Sequence, residues 1–229
     1  AAKLPMLEPA DSAEALAFTR RAYEISEEFD TPVILKMCTR VAHSQSIVET
    51  SPRTEGPERP YEKNIAKYVM MPGNAIRRHP VVEERTRKLI AWAETAPINR
   101  LEPGEDHSMG ILTSSTSYQY VKEACGDTYP VLKLGMIHPL PVEAILNFAA
   151  AVKQVVVVEE LDGFIEEHCR SLGIRVSGKE LFSCMDELGQ NVVADKLALE
   201  PRAGVSLYES ITARPPVMGA GCQKRGRIY

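Results

Sequence analysis

The chain has 229 residues, of which 44% are hydrophobic and 25% charged, so it can bury a sizeable core. This composition excludes a disordered chain and a minimal disulfide-bonded scaffold. The 27 Lys and Arg residues against 31 Asp and Glu give a net charge of −4. A general nucleic-acid binder needs a basic surface, so we expect no nucleic-acid partner.

Features of membrane insertion and of secretion are missing from the sequence. No apolar run approaches the roughly 18 residues of a membrane helix, and the first residues lack the apolar segment of a signal peptide. The five cysteines are odd in number and never in CxxC spacing, which is typical of reduced thiols. We therefore expect a cytoplasmic protein. Because the chain opens on Ala1 and ends in a turn-like stretch, we expect it to be a piece of a longer protein.

The first predicted element is a helix over residues 5–30. Asp11 and Glu14 have the spacing of a capping box, and apolar residues recur every three or four positions after them. Thr31-Pro32 ends this helix, and the apolar residues 33–35 predict a short, buried parallel strand.

The next part of the chain contains two predicted breaks. The stretch SPRTEGPERP, residues 51–60, is rich in proline and charge and predicts an exposed linker. Pro72-Gly73-Asn74 predicts a second break, followed by a charged helix over 81–95 with a narrow apolar stripe.

Residues 109–199 alternate between strand and helix patterns. Gly126 predicts the end of one helix and Pro141 the start of another. This alternation predicts an α/β fold with a parallel sheet covered on both faces. The predicted strands are residues 110–113, 131–134, 155–158 and, more weakly, 174–176.

Arg40, His43 and Ser44 are the candidate cofactor-binding residues, because they follow the predicted strand that ends near residue 37. Loops at strand ends that carry Arg and His suit the recognition of a carboxylate or phosphate. The pattern leaves open the alternative that this is a loop without a ligand.

A second group of polar residues follows the predicted strand 155–158. Glu159 and Glu160 are interpreted as solvated charges, with contacts at an interface as the alternative. Leu161-Asp162-Gly163, with Asn191 downstream, loosely matches the pattern that holds magnesium and thiamine diphosphate in thiamine enzymes, but a strand-to-helix turn is favoured. His138 is interpreted as a hydrogen-bonded loop histidine rather than a metal ligand.

Several segments together resemble a known family. They are LPMLEPADSAEALAFTRRAYEISEEFDTPVILKMCTRVAHS, KYVMMPGNAIRRH, GILTSSTSYQYVKEA, VLKLGMIHPLP and VVVVEELDGFIEEH. They are similar to the middle of the large subunit of indolepyruvate:ferredoxin oxidoreductases, which are 2-oxoacid oxidoreductases. The resemblance implies a transketolase carboxyl-terminal-like domain at 106–200, flanked by pieces of thiamine-enzyme α/β domains. Residues 1–50 would close a pyrimidine-binding domain, 51–105 would be a linker with one charged helix, and 201–229 would begin a diphosphate-binding domain.

The resemblance also implies an activity for the complete enzyme. It would oxidatively decarboxylate an aryl pyruvate to acyl-coenzyme A and reduce ferredoxin, using thiamine diphosphate, Mg²⁺ and iron–sulfur clusters. A smaller (beta) subunit would be a partner in an oligomer. Cys222 stands where the family has a cluster cysteine, but Gly219 and Gln223-Lys224 depart from the family pattern. We expect this piece by itself to be inactive and to bind none of these cofactors; the alternatives are a non-catalytic dimerisation module or a divergent 2-oxoacid specificity.

Overall fold

The computed structural model of the chain describes residues 2–53, 56 and 60–199. Within these residues the chain forms two β-sheets with helices packed around them. The strands are β1 (Met6–Leu7), β2 (Ile34–Leu35), β3 (Arg100–Glu102), β4 (Gly110–Ser114), β5 (Val131–Leu134), β6 (Met136–His138), β7 (Val155–Val158) and β8 (Val176–Ser177). The helices are α1 (Ser12–Phe29), α2 (Thr39–His43), α3 (Ile65–Tyr68), α4 (Pro72–Thr95), α5 (Ser117–Cys125), α6 (Val142–Ala150), α7 (Phe164–Ser171) and α8 (Gln190–Lys196).

The larger sheet has the strand order β3-β5-β4-β7-β8. Strands β5, β4, β7 and β8 are parallel, and β3 pairs antiparallel with β5 at one edge. The connection β4-α5-β5 runs one way along the sheet, whereas β5-α6-β7 and β7-α7-β8 run the other way. Right-handed crossovers therefore place α5 on one face and α6 with α7 on the other. The predicted α/β class with a mostly parallel sheet is confirmed.

Two hydrophobic clusters cover the two faces of this sheet. Val121 of α5 and Val193 of α8 pack with Val156 on one face. Ile145 of α6 and Ile165 of α7 pack with Val157 on the other. All four valines of β7 are buried, as expected for a strand in the interior of a doubly covered sheet.

The smaller sheet differs from the prediction at its first strand. The helix predicted over 5–30 begins only at Ser12, because β1 pairs parallel with β2 and antiparallel with β6. Strand β2 lies at the edge of this sheet and Ile34 is 37% exposed, so the prediction of a buried strand was wrong. The Asp11 carboxylate accepts the Glu14 N–H at 2.8 Å, which confirms half of the capping box. The Glu14 carboxylate accepts the N–H of Ala10 instead of that of Asp11.

The long helix α4 starts where a break was predicted. Pro72 occupies its first turn, where a missing N–H costs nothing because that N–H has no partner within the helix. The helix also continues through Pro80. Of the predicted linker at 51–60, residues 51–53, 56 and 60 are exposed, and the others lie outside the described residues.

A buried ion pair joins α1 to the larger sheet. Lys133 of β5 is fully buried, and its Nζ lies 2.5 Å from Oε2 of Glu14. Oε1 of Glu14 lies 3.0 Å from the Arg100 guanidinium on β3. Burial lowers the pKa of Lys133 below its ordinary value, although the Glu14 carboxylate partly offsets this effect. The first helix is thus tied to the centre of the fold.

Gly135 is the point where the chain passes from the larger sheet into the smaller one. Its N–H and that of Met136 donate to Oδ1 of Asn99, both at 3.0 Å, and its carbonyl accepts the N–H of Glu8 at 2.8 Å. A Cβ at this position would lie 2.2 Å from the carbonyl oxygen of Ile98 and 2.7 Å from the Phe18 ring. The passage therefore requires glycine.

The predicted domain boundaries stay predictions. Strand β3 joins the larger sheet, so that sheet includes residues from 100 onwards. The segment predicted to begin a further domain, 201–229, lies outside the described residues. No helix in the described ranges is long and apolar enough to cross a membrane.

We predict that Gly135→Ala lowers the free energy of unfolding by about 2–3 kcal/mol, because the added methyl group meets the Ile98 backbone and the buried Phe18 ring. Gly73→Ala is the control, since a Cβ there meets nothing within 4 Å; we expect a change of at most about 1 kcal/mol. Urea unfolding followed by circular dichroism measures both values. Equal stability of the two variants would contradict the geometry at Gly135.

Candidate functional site

The two central strands of the larger sheet define a switch point. After β4 the chain turns toward β5, and after β7 it turns toward β8, on the opposite side. Open α/β sheets bind ligands outside the carboxyl ends of strands at such a point. A cavity of about 540 Å³ lies there, between the loops after β4 and β7 and the smaller sheet. We take this cavity as the candidate functional site.

Both loops at the cavity contain a residue in the left-handed region. Ser115, after β4, has φ 51°, and Leu161, after β7, has φ 58°. Such angles are uncommon for residues other than glycine and persist where surrounding structure enforces them. Leu161-Asp162-Gly163 forms the strand-to-helix turn that was favoured, and Gly163 is the N-cap of α7.

Glu159 is buried, and its carboxylate closes the first turn of α7. It accepts the N–H groups of Ile165 at 2.9 Å and Glu166 at 3.0 Å, donors that have no partner within the helix. Burial raises the pKa of Glu159, and these two hydrogen bonds oppose that rise. The interpretation of Glu159 as a solvated charge was wrong, because its buried carboxylate accepts N–H groups from the first turn of α7. The sequence did not show that this helix starts next to Glu159.

Both lysines of the cavity lining are in ion pairs. Lys36 pairs with buried Glu8, which also accepts the Ser114 hydroxyl at 3.1 Å, and Lys3 pairs with Glu83 of α4. Among the described residues, four carboxylates and two lysines line the cavity, so negative charge predominates in this part of its lining. The carboxylates are Glu8, Glu159, Glu160 and Asp162. An anionic ligand is disfavoured by this lining.

Apolar side chains complete the lining. Leu161 is 70% exposed and Phe164 50% exposed, and both border the cavity together with Ile34. His138 also lines it, and its Nδ1 lies 2.8 Å from the carbonyl oxygen of Leu4. The interpretation of His138 as a hydrogen-bonded histidine is confirmed, although it lies in β6 and not in a loop.

Arg40 lies beside the cavity but does not line it. Its guanidinium donates to the Tyr120 hydroxyl, to the Leu188 carbonyl at 3.2 Å and to the Glu187 carboxylate at 2.6 Å. It also stacks over the Tyr120 ring, with 5.2 Å between Cζ and the ring centroid. These contacts tie α2 to α5 and to the loop before α8. These partners lie far from Arg40 in the sequence, so the residues around Arg40 did not predict its contacts.

The structure places the other two predicted residues next to Arg40. His43 ends α2 and is exposed. The Ser44 hydroxyl donates to the Val41 carbonyl at 3.0 Å and lies 3.4 Å from the Ser12 hydroxyl. Cys38 is the residue of this region that lines the cavity. The predicted cofactor role of Arg40, His43 and Ser44 stays a prediction, and Cys222 lies outside the described residues.

The described residues do not fit a magnesium–diphosphate group. Among them, no set of three or more His, Cys, Asp or Glu side chains could hold a metal ion. The Arg40 donors are engaged, and the cavity lining is acidic rather than phosphate-binding. Of the described cysteines, Cys125 and Cys169 are buried, and burial raises the pKa of the Cys169 thiol to about 12. A site for these groups therefore has to use residues beyond those described.

The fold of the chain is shared with a solved enzyme. A 2-oxoglutarate:ferredoxin oxidoreductase from Magnetococcus marinus, solved with 2-oxoglutarate, coenzyme A and succinyl-CoA bound, matches with a TM-score of 0.60. The identity is 14%, over 85% of this chain and 41% of that chain, and it supports a common fold only. No protein-family model matches the chain.

Closer relatives are named indolepyruvate oxidoreductase subunit IorA. The proteins from Archaeoglobus fulgidus and Thermococcus kodakarensis are 33% and 29% identical, each over 100% of this chain. That from Methanothermobacter marburgensis is 29% identical over 99%. The chain spans about 40% of the length of these relatives. The family resemblance predicted from the residues is confirmed.

We predict that Cys38 reports the negative charge of the cavity. The experiment uses the Cys184→Ser, Cys222→Ser variant and two methanethiosulfonate reagents, one with a trimethylammonium group and one with a sulfonate. Each rate of Cys38 modification is divided by the rate at which the same reagent modifies the free amino acid cysteine. The trimethylammonium reagent should then modify Cys38 about five-fold faster, because the negatively charged lining attracts cations. Glu160→Gln with Asp162→Asn should bring that ratio close to one. Mass spectrometry over time measures both rates. A ratio that favours the anionic reagent would contradict the charge assignment.

Proposed function

We propose that this chain is part of the large subunit of a 2-oxoacid:ferredoxin oxidoreductase that acts on aryl pyruvates such as indolepyruvate. The observation that carries the proposal is the similarity of the whole chain to the IorA subunits. The fold shared with a 2-oxoglutarate:ferredoxin oxidoreductase is consistent with this proposal.

In the proposed reaction, a 2-oxoacid and coenzyme A are converted to acyl-coenzyme A and carbon dioxide. The two electrons released reduce two ferredoxins, and one proton is released. We propose that Mg²⁺ and the iron–sulfur clusters are bound by parts of the enzyme other than the described residues, and that thiamine diphosphate is bound mainly by those parts, with Arg40 as the described residue that contacts it. The smaller subunit, ferredoxin and coenzyme A are the proposed partners, in a cytoplasmic oligomer.

The proposed task of the described residues is structural. The larger sheet, buried on both faces, is a rigid support, and the Glu14–Lys133 pair fixes α1 against it. The second candidate function, a non-catalytic module that holds other domains in place, is favoured by the poor fit of these residues to the cofactors. The two functions are compatible, since one enzyme contains both kinds of part.

Substrate specificity tests the proposal directly. The complete enzyme should reduce ferredoxin with indolepyruvate and coenzyme A. Its kcat/KM for indolepyruvate should be about 100-fold above that for 2-oxoglutarate, because an aryl side chain requires an apolar pocket and a carboxylate side chain requires a polar one. Spectrophotometric ferredoxin reduction under anaerobic conditions measures this ratio. Failure with every aryl pyruvate would refute the substrate class.

We also propose that residues 40–44 are the part of this chain nearest the cofactor. Glu187 is 86% exposed, so Arg40 could exchange that carboxylate for a ligand phosphate at little cost. In the complete enzyme, Arg40→Ala should raise the thiamine diphosphate concentration for half-maximal activity about ten-fold. Arg20→Ala, at an exposed position of α1, is the control and should leave that concentration unchanged. A lower Tm with unchanged cofactor dependence would assign Arg40 to its contacts with Tyr120 and Glu187 alone.

A further inference from the structure

The segment from Tyr61 to Ile76 exposes a run of large apolar side chains to solvent. We call this surface the Met70 face. It comprises Tyr61, Ile65, Tyr68, Val69, Met70, Met71 and Ile76, each at least 44% exposed. Single exposed apolar residues are ordinary, but seven of them within sixteen consecutive residues mark an interaction surface. The two adjacent methionines add side chains that adapt readily to a partner.

The Met70 face is held in place by specific hydrogen bonds. The Asn64 carboxamide oxygen accepts the Lys67 N–H at 3.0 Å and caps α3. The Asn74 amide donates to the Val69 carbonyl at 2.9 Å, which fixes the turn between α3 and α4. The Lys67 ammonium lies 2.6 Å from an Asp30 carboxylate oxygen at the end of α1. These contacts therefore fix the backbone of the segment that carries the apolar side chains.

Basic residues are interspersed with these apolar side chains along the segment, and we call them the basic rim. Between positions 60 and 79 there are four Lys and Arg residues and one acidic residue, Glu62, in a chain whose net charge is −4. The four are Lys63, Lys67, Arg77 and Arg78. Asp30 pairs with Lys67 and Arg78 and offsets part of this charge. The rim stays positive, so it complements carboxylates on a partner.

Other occupants fit less well. A second copy related by a two-fold axis would bring the same basic rims together. The chain's own residues 201–229 carry five Lys and Arg against Glu209, so their charge has the same sign as the rim. A membrane surface calls for a long amphipathic helix with one basic face, whereas α3 has four residues and α4 carries acidic and basic residues together.

We propose that the Met70 face binds a different protein subunit whose docking surface is apolar at its centre and acidic at its rim. The identity of that subunit rests on the proposed function, in which it is the smaller subunit of the enzyme. Apolar burial supplies most of the affinity, and the basic rim sets the orientation and the rate of association.

The test measures binding of the complete large subunit to the smaller subunit by biolayer interferometry, at low and high salt. Met70→Glu with Met71→Glu should weaken binding about 100-fold, because two buried carboxylates would lack partners. Lys63→Glu with Arg77→Glu should weaken it about ten-fold and reduce its salt dependence. Ile47→Glu is the control: Ile47 is fully exposed and distant in sequence from the face, and its replacement should leave binding unchanged.

Unchanged binding by the methionine variant would overturn the proposal. Self-association that this variant abolishes would overturn it in favour of a second copy, and binding to phosphatidylserine vesicles would do so in favour of a membrane. The wild-type complex is assayed separately for indolepyruvate-dependent ferredoxin reduction. Loss of that activity with binding intact would count against the proposed function and not against the Met70 face.

Discussion

The buried ion pair between Glu14 and Lys133 is the interaction on which the arrangement of the described residues depends. Removing two charges from water costs several kcal/mol for each, and the cost is recovered only if both charges are well paired. Lys133 has the Glu14 carboxylate at 2.5 Å and the Phe18 ring 4.8 Å from its ammonium group. Without Glu14 the buried Lys133 would lose its carboxylate partner, whereas Glu14 without Lys133 would still have the Arg100 guanidinium, so Lys133 is the charge that requires α1 to pack against β5.

This coupling determines where the cavity lies. With α1 held against β5, strand β1 pairs with β6, and the smaller sheet lies beside the carboxyl ends of β4 and β7. Gly135, which allows the chain to pass from β5 into β6, and Asn99, which binds the N–H groups there, complete the junction. The acidic cavity and the basic Met70 face are separate surfaces of the chain. The cavity favours positively charged groups, and the Met70 face favours negatively charged ones.

Much of the larger sheet could be predicted from the sequence, because four consecutive valines and the Gly126 helix stop are local signals. The capping role of Asp11 was equally local. The function of Lys133 was not predictable, because an isolated lysine within a strand pattern gives no sign of a carboxylate 119 positions away. The same holds for Arg40, whose partners Tyr120 and Glu187 lie on elements that meet it only in the folded chain. Strand β1 was missed because two residues are too few to show a period.

A double-mutant cycle on Glu14 and Lys133 tests the central claim most directly. Glu14→Gln, Lys133→Met and the double variant are compared with the wild type by urea unfolding, at a pH where both groups are charged in the unfolded chain. If the pair couples α1 to the sheet, each single variant loses about 3–5 kcal/mol, and the double variant loses about 2–3 kcal/mol less than the sum of the single losses. Losses that add within about 0.5 kcal/mol would show that the two charges contribute independently and would contradict the account.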